Sequence, residues 1–211
     1  MINQPQFLHP VIRINLAWHS FAQVLLVAFV IGLISCTPNE SVSVLFRTEL
    51  GEIEIEVYPD LAPITASNFL AHVEQGDFIN AKFYRVVRMD NQPQSNVKIE
   101  VIQGGLFDEN LVSLYSSIEH ETTETSGIKH SDGIVSMARN EPGTASTEFF
   151  ICLGTQPSLD FGGDRNPDGQ GFAAFGKVIR GMDVVRKIQM LPDSGQYLQK
   201  HVLIQEMIVV Y

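Results

Sequence analysis

The chain has 211 residues, a formal net charge of −10 and 45 % hydrophobic residues. Only 18 % of the residues are charged, so the apolar content suffices for a core and a disordered chain is excluded. No block of Lys or Arg occurs, which argues against nucleic acid as a partner.

The first 35 residues differ from the rest. They hold no Asp or Glu, and Arg13 is their single Lys or Arg. Val24 to Ile34 reads VLLVAFVIGLI, which is 11 apolar residues. That is short for a bilayer span and suits the core of a signal peptide. Leu33-Ile34-Ser35-Cys36 then resembles a bacterial lipobox, in which the cysteine takes the lipid. The expectation is a lipoprotein-type signal peptide over 1–35, a tether over 36–41 and lipidation at Cys36. An uncleaved N-terminal anchor and a soluble cleavage product are the alternatives. A non-aspartate, Thr37, after the cysteine leans to the outer membrane in a Gram-negative host. Cys152 lies in the apolar run EFFICLG and reads as a buried small hydrophobe.

The remaining chain, 42–211, reads as one domain. In EIEIEVY, Ile53, Ile55 and Val57 alternate with Glu52, Glu54 and Glu56, the period of a strand with its glutamates toward water. Gly51 marks a hairpin turn before it. Pro63 opens a helical pattern, Ala66, Phe69, Leu70 and Val73 form its apolar face, and Gly76 closes it. A second helix is predicted near Met182 to Met190, with Val185 and Ile188 inward. AKFYRVV, KIEVIQ, GIVSMAR, EFFICLG, FAAFGKVI and VLIQEMIVVY read as strands. Many short strands with two helices suggest a mainly β domain, a closed β-barrel with helical caps.

Several of these runs together resemble the cyclophilin family of peptidyl-prolyl isomerases. ELGEIEIEVYPDLAPITASNFLAHV is similar to that family's first hairpin and helix, and AKFYRVV to its arginine-bearing strand. VIQGG is similar to the strand that follows, GIVSMAR and STEFFI to its pocket segments, and FAAFGKVIRGMDVVRKI to its last barrel strand and second helix. The resemblance covers roughly 42–211. It implies an eight-stranded antiparallel barrel capped by two α-helices and isomerase activity on proline-containing unfolded or extended polypeptides. No cofactor or metal is implied, and a monomer is expected.

By the same resemblance, Arg85 is the catalytic cation, Gln103 orients it, and Phe150 packs on the proline ring. Phe149 beside it should face the barrel core. Val101 and Leu159 complete the pocket. Ala138 and Arg139 present backbone to an extended peptide, the Arg139 side chain being incidental. Glu148 and Phe172 stand where the family carries a glutamine and a histidine, and both are expected to face substrate. Ser158 takes a pocket tryptophan's position, and Glu100 that of a pocket phenylalanine. These departures put cyclosporin sensitivity in doubt and motivate the alternative, a proline-peptide-binding chaperone module with weak or no catalysis. MDNQPQSN, within 89–97, reads as an inserted surface loop beside the pocket.

Three near-motifs fail. Asp164, Asn166, Asp168 and Gly169 begin like a calcium loop, but its twelfth position is Phe175. His120 and His130 lack a third ligand at useful spacing. No G-x-S-x-G accompanies the scattered Ser, His and Asp. The expected setting is therefore the cell envelope on the periplasmic side, with membrane contact only through the lipid.

Overall fold

The computed structural model describes residues 41–210. The predicted signal peptide, Cys36 and all of the tether except Ser41 lie outside the described residues. No helix among the described residues is long and apolar enough to cross a membrane.

Among the described residues nine strands form one antiparallel sheet: β1 Val42–Thr48, β2 Gly51–Val57, β3 Lys82–Val87, β4 Val101–Gly105, β5 Ile134–Met137, β6 Phe149–Cys152, β7 Ala173–Arg180, β8 Asp193–Ser194 and β9 Tyr197–Val210. Their spatial order is β1-β2-β7-β5-β6-β4-β3-β9, and β9 pairs back onto β1 to close a barrel of eight. The two-residue β8 only extends the turn into β9. The expected eight-stranded barrel is present. β9 is longer than the predicted run, and β8 was not visible in the sequence pattern.

Helix α1, Pro63–Gln75, and helix α4, Met182–Gln189, are the two predicted caps. Two one-turn helices were not expected, α2 at Glu109–Val112 and α3 at Thr123–Ser126. α1 begins on Pro63 and ends on Gly76 in the left-handed region, φ 74°. Its N-cap, Ala62, offers no side-chain acceptor. The buried Glu121 supplies it from a distant loop: its two carboxylate oxygens accept from the N–H groups of Ile64 (3.1 Å) and Thr65 (2.6 Å). A carboxylate there satisfies orphan donors and meets the positive end of the helix dipole.

α1 turns Ala66, Phe69 and Val73 into the barrel, while Leu70 is only half-buried. Phe69 packs on Phe46, Phe149 and Phe175 at centroid distances of 6.2, 5.8 and 4.9 Å. Edge and tilted contacts of this kind suit the ring quadrupole. Ile53, Ile55 and Val57 fill the barrel wall, and Glu52, Glu54 and Glu56 stay on the wetter face, as their alternation predicts.

A second, smaller apolar cluster lies on the outer face of the sheet. It holds Val87, Ile99, Val101, Phe150, Cys152 and Leu159, with Ala138 and Phe172 against it. Their sequence neighbours Val86, Ile102, Phe149 and Ile151 belong to the barrel core instead. The period of two divides the two clusters, one inside the barrel and one beneath a surface groove. Cys152 is buried in the outer cluster, and burial pushes its thiol well above the usual range.

Candidate active site

The site begins with a break in strand pairing. Phe83 pairs with Gly104, but Arg85 pairs with Gln103, so Tyr84 is an extra residue. The pairing with β9 also breaks between Phe83 and Arg85, there by a jump on β9 from Val202 to Tyr197. A bulge of this type re-aims side chains. Phe83 and Val86 remain in the barrel core, while Tyr84 and Arg85 both line the outer groove. Across the sheet Gln103 stands opposite Arg85 on one side and Phe150 on the other, and Phe150 stands opposite Ser136. The pairing thus sets a cation, an amide and an aromatic ring in one row.

Arg85 is held by two amide oxygens. Its Nη1 donates to Gln103 Oε1 at 2.9 Å, and its Nε donates to Gln196 Oε1 at 3.1 Å. Nη2 donates to that same Gln196 oxygen. Neither partner is charged, so the guanidinium is oriented without being neutralised. Two of its five N–H groups remain for a substrate.

Gln103 is fixed in turn. Its Nε2 donates to Tyr84 Oη (2.6 Å), and Tyr84 donates to Glu148 Oε2 (2.5 Å). The other oxygen of Glu148 accepts from the N–H of Leu106 (2.7 Å) and of Phe107 (3.2 Å). Burial first, then the Glu148 charge, pushes the Tyr84 phenol above its usual range, so it stays a donor. Both glycines of VIQGG are needed here, Gly104 for close packing on Phe83 and Gly105 for the approach of Glu148. A Cβ on Gly104 would come 2.9 Å from Phe83 Cδ1. A Cβ on Gly105, whose φ is +141°, would come 2.4 Å from Glu148 Oε1.

Glu148 therefore corrects one expectation. It lines the groove, but both of its oxygens are used in bracing Tyr84 and the 106–107 backbone, which leaves it a support for the site. Burial holds its carboxyl above the usual range, against the opposing hydrogen bonds from Tyr84, Phe107 and Leu106. A folded-state pKa above the unfolded one contributes stability below the unfolded pKa and loses it as pH rises through the folded pKa. Urea unfolding of the wild type and Glu148→Gln should show this. Their stability difference should move in favour of the wild type as pH falls from neutral through the raised pKa. A difference that is flat or moves the other way would contradict the assignment.

Phe150 forms the apolar floor with Val101 and Leu159. Phe172 meets it edge-on at 5.3 Å, and His130 stacks behind it at 6.0 Å. His130 Nδ1 lies 2.8 Å from Asp160 Oδ1, and its Nε2 lies 3.1 Å from Ser136 Oγ. These are the elements of a hydrolytic triad. Yet Ser136 is fully buried and His130 is 1 % exposed, so no substrate reaches them. The trio is a brace under Phe150. Burial of Asp160 is outweighed by hydrogen bonds from His130, which hold its carboxyl below the usual range.

All nine residues predicted to face substrate line one groove of about 900 Å³. Three details differ from expectation. Ile99, not Glu100, supplies the apolar side chain preceding Val101, because 99, 101 and 103 share the outer face. The Arg139 side chain is 1 % exposed and far from incidental. It forms a bidentate pair with Asp168 (2.8 and 2.9 Å), donates to Gly171 O, and covers the Phe172 ring at 5.2 Å. That pairing also occupies one carboxylate of the calcium-like stretch. Third, loop 89–97 is the expected surface loop, with most of its residues exposed, but it is also pinned to the sheet. Gln92 is 2 % exposed and bonds Arg88 O and Ile99 O, both at 2.7 Å.

Sequence reasoning missed Tyr84, Gln196 and Arg165. Gln196 sits in the β8–β9 turn at φ +77°, more than 100 residues from Arg85 in sequence. Asp193 and Asn91 O hold it in place. Only the doubling of aromatic and arginine in FYR hinted at the bulge.

The comparisons with known proteins agree with this geometry. The family model described as "Cyclophilin type peptidyl-prolyl cis-trans isomerase/CLD" matches residues 43–209. A peptidyl-prolyl cis-trans isomerase of Acinetobacter baylyi is 34 % identical over 179 residues, covering 83 % of this chain and 88 % of that protein. Peptidyl-prolyl cis-trans isomerase B of Escherichia coli is 30 % identical, covering 79 % and 95 %. A solved cyclophilin-type isomerase from Cryptosporidium parvum superposes with a TM-score of 0.64 at 21 % identity, covering 82 % and 99 %. That likeness bears on the fold, the closed barrel with its helices. Taken with the groove and its arginine, the matches show that the chain belongs to the cyclophilin-type peptidyl-prolyl cis-trans isomerases.

Proposed function

We propose that this isomerase acts on Xaa-Pro bonds of extended or unfolded polypeptides exported to the cell envelope, where a lipid on Cys36 tethers it. The catalytic part rests on one observation: an un-neutralised guanidinium, fixed on two amide oxygens, stands beside an apolar pocket floored by Phe150.

The chemistry is conformational. Rotation about the prolyl amide has a barrier of about 18–20 kcal/mol, because the nitrogen lone pair is shared with the carbonyl. Twisting the bond localises that lone pair on nitrogen. An arginine N–H placed at the nitrogen binds the twisted amide better than either planar form, which is the condition for catalysis. Arginine suits the role because it stays charged and need not titrate. A ~10⁵-fold acceleration would need about 7 kcal/mol. One charge-assisted hydrogen bond gives about 1.5–3 kcal/mol. The remainder falls to the pocket of Val101, Phe150, Leu159 and Phe172, which holds the ring still while the preceding residue swings. The N–H and C=O of Arg139 have no partner among the described residues, so this edge can pair with an extended chain.

The envelope part rests on the sequence of the first 36 residues. Metabolic labelling with a fatty acid tests it. Label should enter the wild type and not Cys36→Ser; label retained in Cys36→Ser would refute the anchor.

A further inference from the structure

Arg165 is the second arginine of the groove, and it was not anticipated from the sequence. Its backbone N–H donates to Ser158 O at 3.1 Å, which places it beside the residue that takes the pocket tryptophan's position. Its Nη1 donates to Val97 O (2.6 Å), Ser95 Oγ (2.8 Å) and Gln92 Oε1 (3.3 Å). All three acceptors belong to the inserted loop 89–97, and all are neutral. Among the described residues Arg165 has no carboxylate partner, in contrast to Arg139, which is neutralised by Asp168. Its Nε and Nη2 carry three N–H groups with no protein acceptor among the described residues.

Two guanidinium groups, Arg85 and Arg165, therefore line one groove with neither charge compensated. Burial, followed by the nearby Arg85 charge, lowers the pKa of Arg165, so the two groups feel each other. Two carboxylates line the groove: Glu148 is consumed by Tyr84 and the 106–107 backbone, and Glu109 is exposed to water on α2. In a chain of net charge −10, two bare cations in a half-buried groove form a site for an anion. The open Nε–Nη2 edge of a guanidinium matches a carboxylate in bidentate geometry.

We propose that Arg165 is a specificity-determining residue, selecting polypeptides that carry a carboxylate side chain next to the bound proline. This rests on the proline pocket described above. It also explains the position of loop 89–97, which holds Arg165 from one side and, through Asn91 O, holds the Arg85 partner Gln196 from the other.

The test uses six short peptides, identical except for Glu, Gln or Lys immediately before or after a single proline. Isomerisation kcat/KM is measured at low and high salt for the wild type, Arg165→Gln and Arg165→Lys. In the wild type, Glu should exceed Gln by about tenfold at one of the two positions, roughly one charge-assisted hydrogen bond. Lys should fall below Gln, and high salt should shrink the spread. The Glu/Gln ratio should approach one in Arg165→Gln and persist in part in Arg165→Lys. A wild-type ratio near one at both positions overturns the proposal, as does a ratio that survives in Arg165→Gln. Failure to accelerate even the Gln peptides would overturn the proline-pocket reading itself, an outcome distinct from a lost ratio.

Discussion

Replacing Arg85 with alanine is expected to lower kcat/KM on a short Xaa-Pro peptide by about 10²-fold, with the fold unchanged. The side chain is half-buried on the outer face and fills no part of the barrel core, so its loss leaves no cavity there. What is lost is one pre-positioned donor, and such donors count most where reorganisation has already been completed. Here Gln103 and Gln196 complete it. Arg85→Lys should recover little, because an ammonium on a flexible stem cannot use both amide oxygens in a plane. A protease-coupled or direct spectroscopic assay decides the matter. Wild-type rates in Arg85→Ala would remove Arg85 from the mechanism.

The second large effect separates two adjacent phenylalanines. Phe150→Ala should raise KM about 10-fold or more, because the ring surface offered to proline is lost; the ring is also buried in the outer cluster, so its truncation should lower unfolding free energy by about 3 kcal/mol as well. Phe149→Ala should lower stability at least as much and leave KM nearly unchanged. Phe149 is fully buried among Phe46, Phe69, Phe78 and Phe83, and truncation there should cost about 3–5 kcal/mol in urea unfolding. Peptide kinetics on the two variants carry the contrast, with KM raised in Phe150→Ala alone if the strand faces are assigned correctly. An unchanged KM in Phe150→Ala, or an equal rise in Phe149→Ala, would contradict the assignment.

The two phenylalanines show why much of the site was legible in sequence. Strict alternation in β4 and β6 puts Val101, Gln103 and Phe150 on one face, and Phe149 and Ile151 on the other. Alternation fails in β3. A strict period of two would have placed Arg85 with Phe83, inside the barrel. The extra residue at Tyr84 moves it out, and nothing in a one-dimensional pattern fixes which residue of FYRVV is extra. The resemblance to cyclophilins supplied Arg85 where periodicity would have misplaced it.

What remained hidden depended on long-range contacts. Gln196 reaches Arg85 only because β8 and the β9 start fold back along β3. Glu121 caps α1 from a loop more than 50 residues further along the chain, which no pattern near Pro63 announces. Arg139, Arg165 and loop 89–97 form a connected rim through Asp168, Ser95 and Val97, and each looked like ordinary loop polarity in sequence. Hydrogen bonds between insertions are set by where the loops meet in space, which local propensity does not encode.

The central claim is that Arg85 acts on the twisted amide rather than on the bound ground state. Exchange spectroscopy on a saturated Xaa-Pro peptide reads this directly, since it separates binding from interconversion of the bound isomers. In the wild type both bound-state rates, cis-to-trans and trans-to-cis, should far exceed those of the free peptide, their ratio being set by the equilibrium between the bound isomers. Arg85→Ala should bind the peptide within a few-fold of the wild type, yet show bound-state exchange slower by about 10²-fold. Bound-state exchange as fast as the wild type, with only affinity reduced, would contradict the account and make Arg85 a binding residue alone.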